Sequence, residues 1–446
     1  MPGFVIIGLD FGMALTKCAV AIQPPRQTEY EQFVVAFEGD DGIDRVHTAS
    51  GVWADDESVS LRGFDIKDDA VFLHGVKEKL LHDLDAGEES NLDGTLSAAD
   101  AVFVSLAGIL ADVKRRVAEY LESTYPGATW NWIVNAATPA VRANDVALTP
   151  REVRMKELVE QALAYAECYP KFDGTVSRAD IAEARAEAKR SASKVAPQVS
   201  VLRESLAGAL FALMADDAEE GIWFTIDIGA LTTDTSLFFF SPAAGGQNRE
   251  AAYSAMASSL GGMQALAESI ACAEALELPD AHRRIAELEL EEVRDIDAFG
   301  PLTDAVDQSI GATLKGACRL GAVYAEFFDE AQQPIRSKFQ FLILGGGSSN
   351  VAVRDWLSKW VWRACREHHP APCVVKGIPD SVRVLLPDGQ KAAFEEFDEA
   401  DHAIVAIALG LAQRPWEMPR STIVTPEDIA PVATRVPVDN PFWGGH

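Results

Sequence analysis

Aspartate followed two residues later by glycine, closing a run of β-branched residues, occurs twice in this chain about half a length apart. The first instance is V-I-I-G-L-D-F-G-M-A-L-T-K, which holds Asp10, Gly12 and Lys17. The second is W-F-T-I-D-I-G-A-L-T-T-D, which holds Asp227, Gly229, Thr232, Thr233 and Asp234. A strand ending this way makes a tight turn in which glycine lets backbone N–H groups approach an anion. The adjacent aspartate can hold a metal ion or a water. Two such turns facing each other can clamp a nucleoside triphosphate, with Mg2+ bridging phosphate oxygens through waters held by carboxylates. Asp10 and Asp227 are the candidates for that cage, and Thr232 and Thr233 for hydroxyl or amide bonds to phosphate. Taken singly, each triplet equally fits a capped turn. A third segment, F-L-I-L-G-G-G-S-S-N from Phe341 to Asn350, runs from an apolar strand into Gly345, Gly346 and Gly347. Three glycines suit close backbone approach to a base or ribose, whereas a plain strand-to-helix turn needs one. Arg354, one turn on, has the chemistry to stack on adenine or to lie solvated on a helix.

These residues need strands that end at them. Residues 4–9 and 18–22 read as a hairpin, and 222–228 and 235–240 as the strands flanking the second turn. Strand-like fragments lie at Phe33–Phe37 and Val71–Leu73, inside a stretch at 24–100 rich in Asp, Glu and Gly. Helical periodicity spans 97–124 with Ser97 as N-cap, and a strand at Trp130–Asn135 leads to a helix at 150–168 opened by Thr149-Pro150. Residues 178–195 read as an exposed helix and Val201–Leu213 as a buried one. Helices are expected to dominate 258–330, a small-residue helix to cover Ala403–Ala412, and the Pro-rich chain from Arg414 to be irregular. The recurrence of strand, Asp-x-Gly and strand predicts two lobes on one plan, each a mixed sheet with flanking helices.

A chain of 446 residues exceeds one comfortable core, which also argues for two lobes. Its formal charge of −29, from 39 basic and 68 acidic residues, disfavours nucleic acid and anionic membrane surfaces as partners. A nucleotide needs only a local nest of amides and a cation. The six cysteines are scattered, as reduced cytosolic thiols usually are. No segment reads as a bilayer span, and the first apolar stretch ends at Asp10 like a strand rather than a signal peptide. The expected compartment is therefore the cytoplasm. Cys365, His368, His369 and Cys373 are zinc-ligating types, but Pro370 and Pro372 interrupt them and no second half-site follows. The tail Asn440–His446 carries two large aromatics with no motif around them.

In this order, the segments resemble the phosphate, connecting and adenosine motifs of the actin/hexokinase/heat-shock ATPase superfamily. The closer resemblance is to the nucleotide-binding domain of seventy-kilodalton heat-shock chaperones, and to their relatives without a peptide-binding domain. V-N-A-A-T-P-A (Val134 to Ala140), R-E-S-L-A-G-A-L (Arg203 to Leu210) and S-S-L-G-G-M-Q (Ser258 to Gln264) resemble that family's V-P-A, E-P-x-A-A-A-L and L-G-G-x-D segments. The resemblance covers roughly residues 4–412 through individually loose matches. It implies a two-lobed actin-like ATPase fold with a nucleotide cleft between the lobes, and ATP or ADP with Mg2+ as cofactors. Lobe I would take 1–205, with an insertion at about 24–100, and be completed by 400–413; lobe II would take 206–399, leaving 414–446 as a tail. Asp10 and Gly12 would form the first phosphate loop, and Lys17 falls where actin places a phosphate-contacting lysine. Glu204 aligns with a glutamate that would orient the attacking water. Either Lys77 or Lys79 would be the family's phosphate-reaching lysine.

The departures concern catalysis. Met13 and Ala14 replace a Thr-Thr pair, and Ala230 and Leu231 replace two glycines of the second loop. Were Leu231 held at positive φ, strain of about 1–3 kcal/mol would follow. ATP binding with slow hydrolysis is the expected behaviour. Too little chain follows residue 413 for a peptide-binding domain, so the output would be a conformational switch on a protein partner. The alternatives are a non-hydrolysing nucleotide scaffold, a small-molecule kinase or a filament former of the same superfamily. No G-x-x-D segment is placed to serve a kinase.

Overall fold

The computed structural model describes residues 2–39, 42–61, 70–86, 91–138, 149–213, 219–241, 250–286, 300–314, 339–350, 353–354, 356–357, 382–388, 390–393, 401–413 and 420–423. Within them the chain is a mixed α/β structure built around two large sheets. Three strands open the first sheet as an antiparallel meander: β1 (Gly3–Phe11), β2 (Leu15–Gln23) and β3 (Glu31–Val35). A short strand, β4 (Thr48–Ala49), pairs with the start of β2. The small strands β5 (Val52–Ala54), β6 (Ser58–Ser60) and β7 (Val71–Leu73) precede helices α1 (Val76–Ala86) and α2 (Ala98–Thr124). Strand β8 (Trp130–Thr138) returns parallel to β1. After α3 (Pro150–Cys168), β9 (Thr175–Ser177) and α4 (Ile181–Val195), strand β10 (Val199–Arg203) lies parallel to β8. The β9 strand joins β6, β5 and β7 in a separate four-stranded sheet.

Helix α5 (Glu204–Leu213) leads into the second sheet. Its antiparallel meander is β11 (Gly221–Ile228), β12 (Thr232–Ser241) and β13 (Glu250–Leu260). Helices α6 (Met263–Glu274), α7 (Leu278–Ala286) and α8 (Gly300–Leu314) follow, and β14 (Phe339–Leu344) then runs parallel to β11. Strands β15 (Arg383–Leu385) and β16 (Lys391–Ala393) return to the first sheet beside β3. Helix α9 (Asp401–Leu411) precedes β17 (Arg420–Ile423), which pairs with β13. The strand orders are β10-β8-β1-β2-β3-β15-β16 and β14-β11-β12-β13-β17. In both sheets, the second strand of the meander lies antiparallel on one side of the first. A later strand, arriving after helices, lies parallel on the other side.

The sequence explains this layering. Strand β1 is almost continuously apolar because both its faces are covered. Val5, Ile7 and Leu9 join the core under α2, α3 and α4, while Ile6 faces Val405, Ala408 and Leu409 of α9. In β11, Phe224, Ile226 and Ile228 pack with Leu266 and Ile270 of α6, and Trp223 on the opposite face packs with Ala209 and Leu213 of α5. Helices α5 and α9 therefore lie between the two sheets, joined by Ala137, Ala207, Ile407 and Leu411. Capping boxes fix two helix starts: Ser97 with Asp100 opens α2, and Thr149 with Glu152 opens α3 behind Pro150 at the first position.

Glycine makes the central crossing possible. A Cβ on Gly8 would run into the Ala408 carbonyl, and one on Gly410 would overlap the Ala207 carbonyl and lie 3.0 Å from the Phe211 nitrogen. The obstacles are backbone, so they cannot rotate away. Gly410→Val is expected to cost about 3 kcal/mol, the upper part of the range for overpacking. A urea midpoint matching the unsubstituted protein would refute this account of the crossing.

Several expectations change. Val201–Arg203, expected to start a buried helix, belongs instead to the strand Val199–Arg203, which pairs with Val134–Thr138. Strands β15 and β16 fall outside the second lobe as drawn from sequence, since they extend the first sheet. The expected boundary at 205/206 cuts α5, and β3 belongs to the main sheet rather than to an insertion beginning at 24. The chain after Arg414 is not wholly irregular, because Arg420–Ile423 is a sheet strand. Glu250–Leu260 was also invisible as a strand, being rich in Ala and Ser. The expected helix beyond residue 314, the Cys365–Cys373 cluster and the tail from Asn440 lie outside the described residues. No helix among the described residues is long and apolar enough to cross a membrane.

Candidate functional site

The two Asp-x-Gly turns occupy equivalent places, at the ends of β1 and β11, and have the same geometry. Gly12 N–H donates to the Leu15 carbonyl (3.1 Å), and Gly229 N–H donates to the Thr232 carbonyl (2.9 Å). In each hairpin the aspartate lies directly across the ladder from the residue seven positions later: Asp10 opposite Lys17, and Asp227 opposite Asp234. Residues directly opposite in an antiparallel pair have neighbouring side chains. The first hairpin thus carries an acid–base pair and the second an acid–acid pair.

Lys17 Nζ donates to Asp10 Oδ2 at 2.9 Å, and both side chains are buried. Burial works against the lysine charge, but Asp10, with Asp227 and Glu204 farther off, outweighs it and raises the Lys17 pKa. Asp227 is held well above the usual carboxylate range. Burial is the main cause, followed by repulsion from Asp234, Glu204 and Asp10; Lys17 partly offsets these. These mutual influences bring the turns of the two sheets into one electrostatic neighbourhood.

Helix α1 supplies a second cation. Lys77 is fully buried, donates to the Phe11 carbonyl in the first turn and pairs with Glu204 Oε1 at 2.6 Å. Glu204 is the first residue of α5, where a carboxylate suits the helix dipole. Lys79 points elsewhere, pairing with Asp83 at 3.5 Å with its side chain 37% exposed. Of the two lysines, only Lys77 reaches the turns.

The second turn is clamped from below. Met263 N–H donates to the Gly229 carbonyl, Gln264 N–H to Ala230, and Gly261 N–H to Leu231. A Cβ on Gly262 would strike Gly229 and Ala230, so the glycine pair is what lets α6 begin against this loop. Thr233 donates to the Gly261 carbonyl at 2.8 Å and is fully buried. Its hydroxyl is therefore engaged in a structural clasp in this structure. Thr232 shares the other face with Asp234 and donates to it at 2.9 Å. Leu231 does not adopt positive φ, so the anticipated strain is absent; Arg26 and Ala275 are the positive-φ non-glycine residues described.

Gly345, at φ +85°, packs so closely on Asp227 and the Ile228 carbonyl that no side chain could stand there. Gly347 packs on Ile228 and Met263, whereas a Cβ on Gly346 would meet nothing within 4 Å. Arg354 N–H bonds the Asn350 carbonyl, and no contact ties it to the turns. Asp10, Gly12, Lys17, Lys77, Glu204, Asp227, Gly229, Thr232 and Gly345 are therefore gathered at one place, while Lys79, Thr233 and Arg354 are not shown there.

Two neighbours had no role assigned from sequence. Asp234 stands in the second motif, and the seven-residue spacing that matches Asp10 to Lys17 was a usable signal for it. His47 carried none, because the pairing of β4 with β2 is long-range. Its pKa is lowered to about 4 by burial, then by Lys17 and Arg45. Among the described residues, no group of three or more His, Cys, Asp or Glu side chains is placed to hold a metal ion directly. The chain matches no protein-family model, and no curated protein is similar to it in sequence.

Proposed function

We propose that this chain is an actin-like, heat-shock-type nucleotide-binding domain: a two-lobed ATPase fold that holds ATP or ADP with Mg2+ between its lobes. The observation that carries the reading is the repeated hairpin. Two turns with the same spacing and hydrogen bonding end the same strand of two similarly ordered sheets, and the charged groups of both lie within electrostatic reach. A triphosphate is a ligand that would draw on both turns together.

The residues fit the cation. Asp227 and Asp234 are buried carboxylates facing each other, with Lys17 as a partly compensating charge. A divalent ion beside them would favour their ionised forms. Asp10 and Asp227 would hold it through waters, and when bound it would supply charge neutralisation to the phosphates. Lys17 and Lys77 are already paired with Asp10 and Glu204, so phosphate binding would exchange these carboxylates for phosphate oxygens. Glu204 would then be released to orient a water.

Hydrolysis should be slow, because Met13 and Ala14 offer no hydroxyls where preorganised donors contribute to phosphoryl transfer. The same substitutions, with Ala230 and Leu231, favour a second reading: a nucleotide scaffold that does not hydrolyse ATP. In the first reading the chain is a switch acting on a protein partner. Nucleotide closes the lobes because it contacts both turns only when they approach, and a ligand shifts such a balance only through differential affinity.

Titration calorimetry with Mg2+ and ATP or ADP should give saturable binding, and solution scattering should show a smaller radius of gyration with ATP. Phosphate release then separates the two readings. Absence of binding would overturn both, and identical scattering profiles at saturating nucleotide would remove the switch.

A further inference from the structure

A second polar cavity lies away from the hairpins, in the part of the first lobe formed by α2, α3 and α4. Its volume is about 480 Å³, and its lining includes Asn91, Ser97, Arg154, Gln161, Arg185 and Lys189. Asp100 also borders it. The helical spacing explains the arrangement: Arg185 and Lys189 are four residues apart on α4, and Arg154 and Gln161 seven apart on α3, so each pair shares a face. Ala182 and Ala186 keep the α4 wall low.

Two features separate this cleft from an ordinary solvated surface. It gathers three cationic side chains in a chain of formal charge −29. Arg185 donates to Asp100 Oδ1 at 2.5 Å and Arg154 to Glu157 Oε2 at 3.2 Å, while no carboxylate is shown paired with Lys189. The second feature is Gln161. It is 95% buried, lines the cavity, and has no hydrogen bond to its side chain among the described residues. Its amide is not sealed off from the cavity, so its NH2 group is available to a ligand with acceptor oxygens.

We propose that this cleft binds a small phosphate-bearing anion, independently of the nucleotide reading above. Asp100 and Glu157 offset part of the charge of the two arginines, and with Lys189 the cleft stays net positive, which suits an anion such as a phosphate monoester. Guanidinium groups on α3 and α4 bind phosphate oxygens in a directed fork, and Lys189 adds a mobile charge at the rim. The cleft is larger than one phosphate group requires, so the natural ligand would have an organic portion.

Titration calorimetry with inorganic pyrophosphate, in protein saturated with Mg2+ and ADP to occupy any nucleotide site, tests this. One molar equivalent should bind, with affinity reduced about tenfold or more in Arg154→Ala and in Gln161→Leu, each loss being of the size of one or two good polar contacts. Gln161→Leu changes no charge, so it distinguishes a built site from general attraction. Lys189→Glu, on an exposed position, should also abolish binding and provides the arm least able to disturb folding. Lys17→Met should leave this binding intact. No binding, binding insensitive to the Gln161 and Lys189 changes, binding lost with Lys17, or citrate binding as tightly as pyrophosphate would overturn the assignment.

Discussion

Asp10→Ala should be among the most destabilising single substitutions in the nucleotide-free protein, at about 3–5 kcal/mol, the range seen when one member of a buried ion pair is removed. The reason is Lys17. Its ammonium is buried and takes its near hydrogen bond from Asp10 at 2.9 Å, with Asp227 and Glu204 acting only at longer range. Removing the carboxylate strands that charge, which then either shifts its pKa down or pulls water inward. The double variant Asp10→Ala with Lys17→Met should recover much of the loss, since an apolar side chain of similar length can occupy the same volume. Urea unfolding of the four proteins in the cycle measures the coupling. If Asp10→Ala and Lys17→Met simply add, the pair is incidental. The same Asp10 variant should bind Mg2+ and ATP less tightly, but the stability result stands independently of nucleotide.

Asp227→Asn should do the reverse, raising the stability of the free protein at neutral pH while weakening Mg2+-dependent nucleotide binding. The sign follows from linkage. Burial, and then Asp234, Glu204 and Asp10, raise the folded-state pKa of Asp227 well above its unfolded value of 3.8. Between those two values the folded protein holds the proton that the unfolded chain has released. Stability contributed by this group is therefore complete below about pH 3.8 and is lost as pH rises through the folded pKa. Asparagine keeps the shape and removes the titration, so the variant's stability should decline less than the parent's as pH rises above 4. Thermal unfolding of both proteins across that range is the check. Parallel curves would show that Asp227 is not held protonated in the fold. A gain in stability bought by a loss of ligand affinity would mark the acid pair Asp227 and Asp234 as retained for binding.

The local signals in the sequence were strong where one residue and its near neighbours decide the structure. Ser97 and Thr149 cap their helices because each is followed three residues later by an acid that completes the box. The hairpins were legible because Asp-x-Gly interrupts runs such as Val5–Leu9. What failed was non-local. Val199–Arg203 abuts the helical pattern of α5, and only the open edge of β8 makes it a strand. Glu250–Leu260 has weak strand composition, yet β12 imposes the conformation, an instance of context overriding propensity. At the site, Lys77 and Lys79 are two residues apart on a helix and so point to different sides. Nothing local tells which side meets Phe11. The strain assigned to Leu231 presumed that a loop lacking two glycines must keep the backbone those glycines would allow. The chain instead forms the turn without left-handed residues, with Gly261 and Gly262 accommodating it from beneath.

Strand β17 has a consequence for self-assembly. A parallel neighbour cannot be delivered by a tight turn, and this one arrives only after the chain has passed through α9, which packs on the first sheet. It occupies the outer side of Glu250–Tyr253, so the start of β13 offers no vacant ladder there to another molecule. Unoccupied edges are the usual templates for strand-to-strand polymerisation. For a copy to pair with β13 itself, β17 must first be displaced, and β17, which ends the described strand order, is only four residues long. The last described segment thus serves as an intramolecular competitor against any copy of itself.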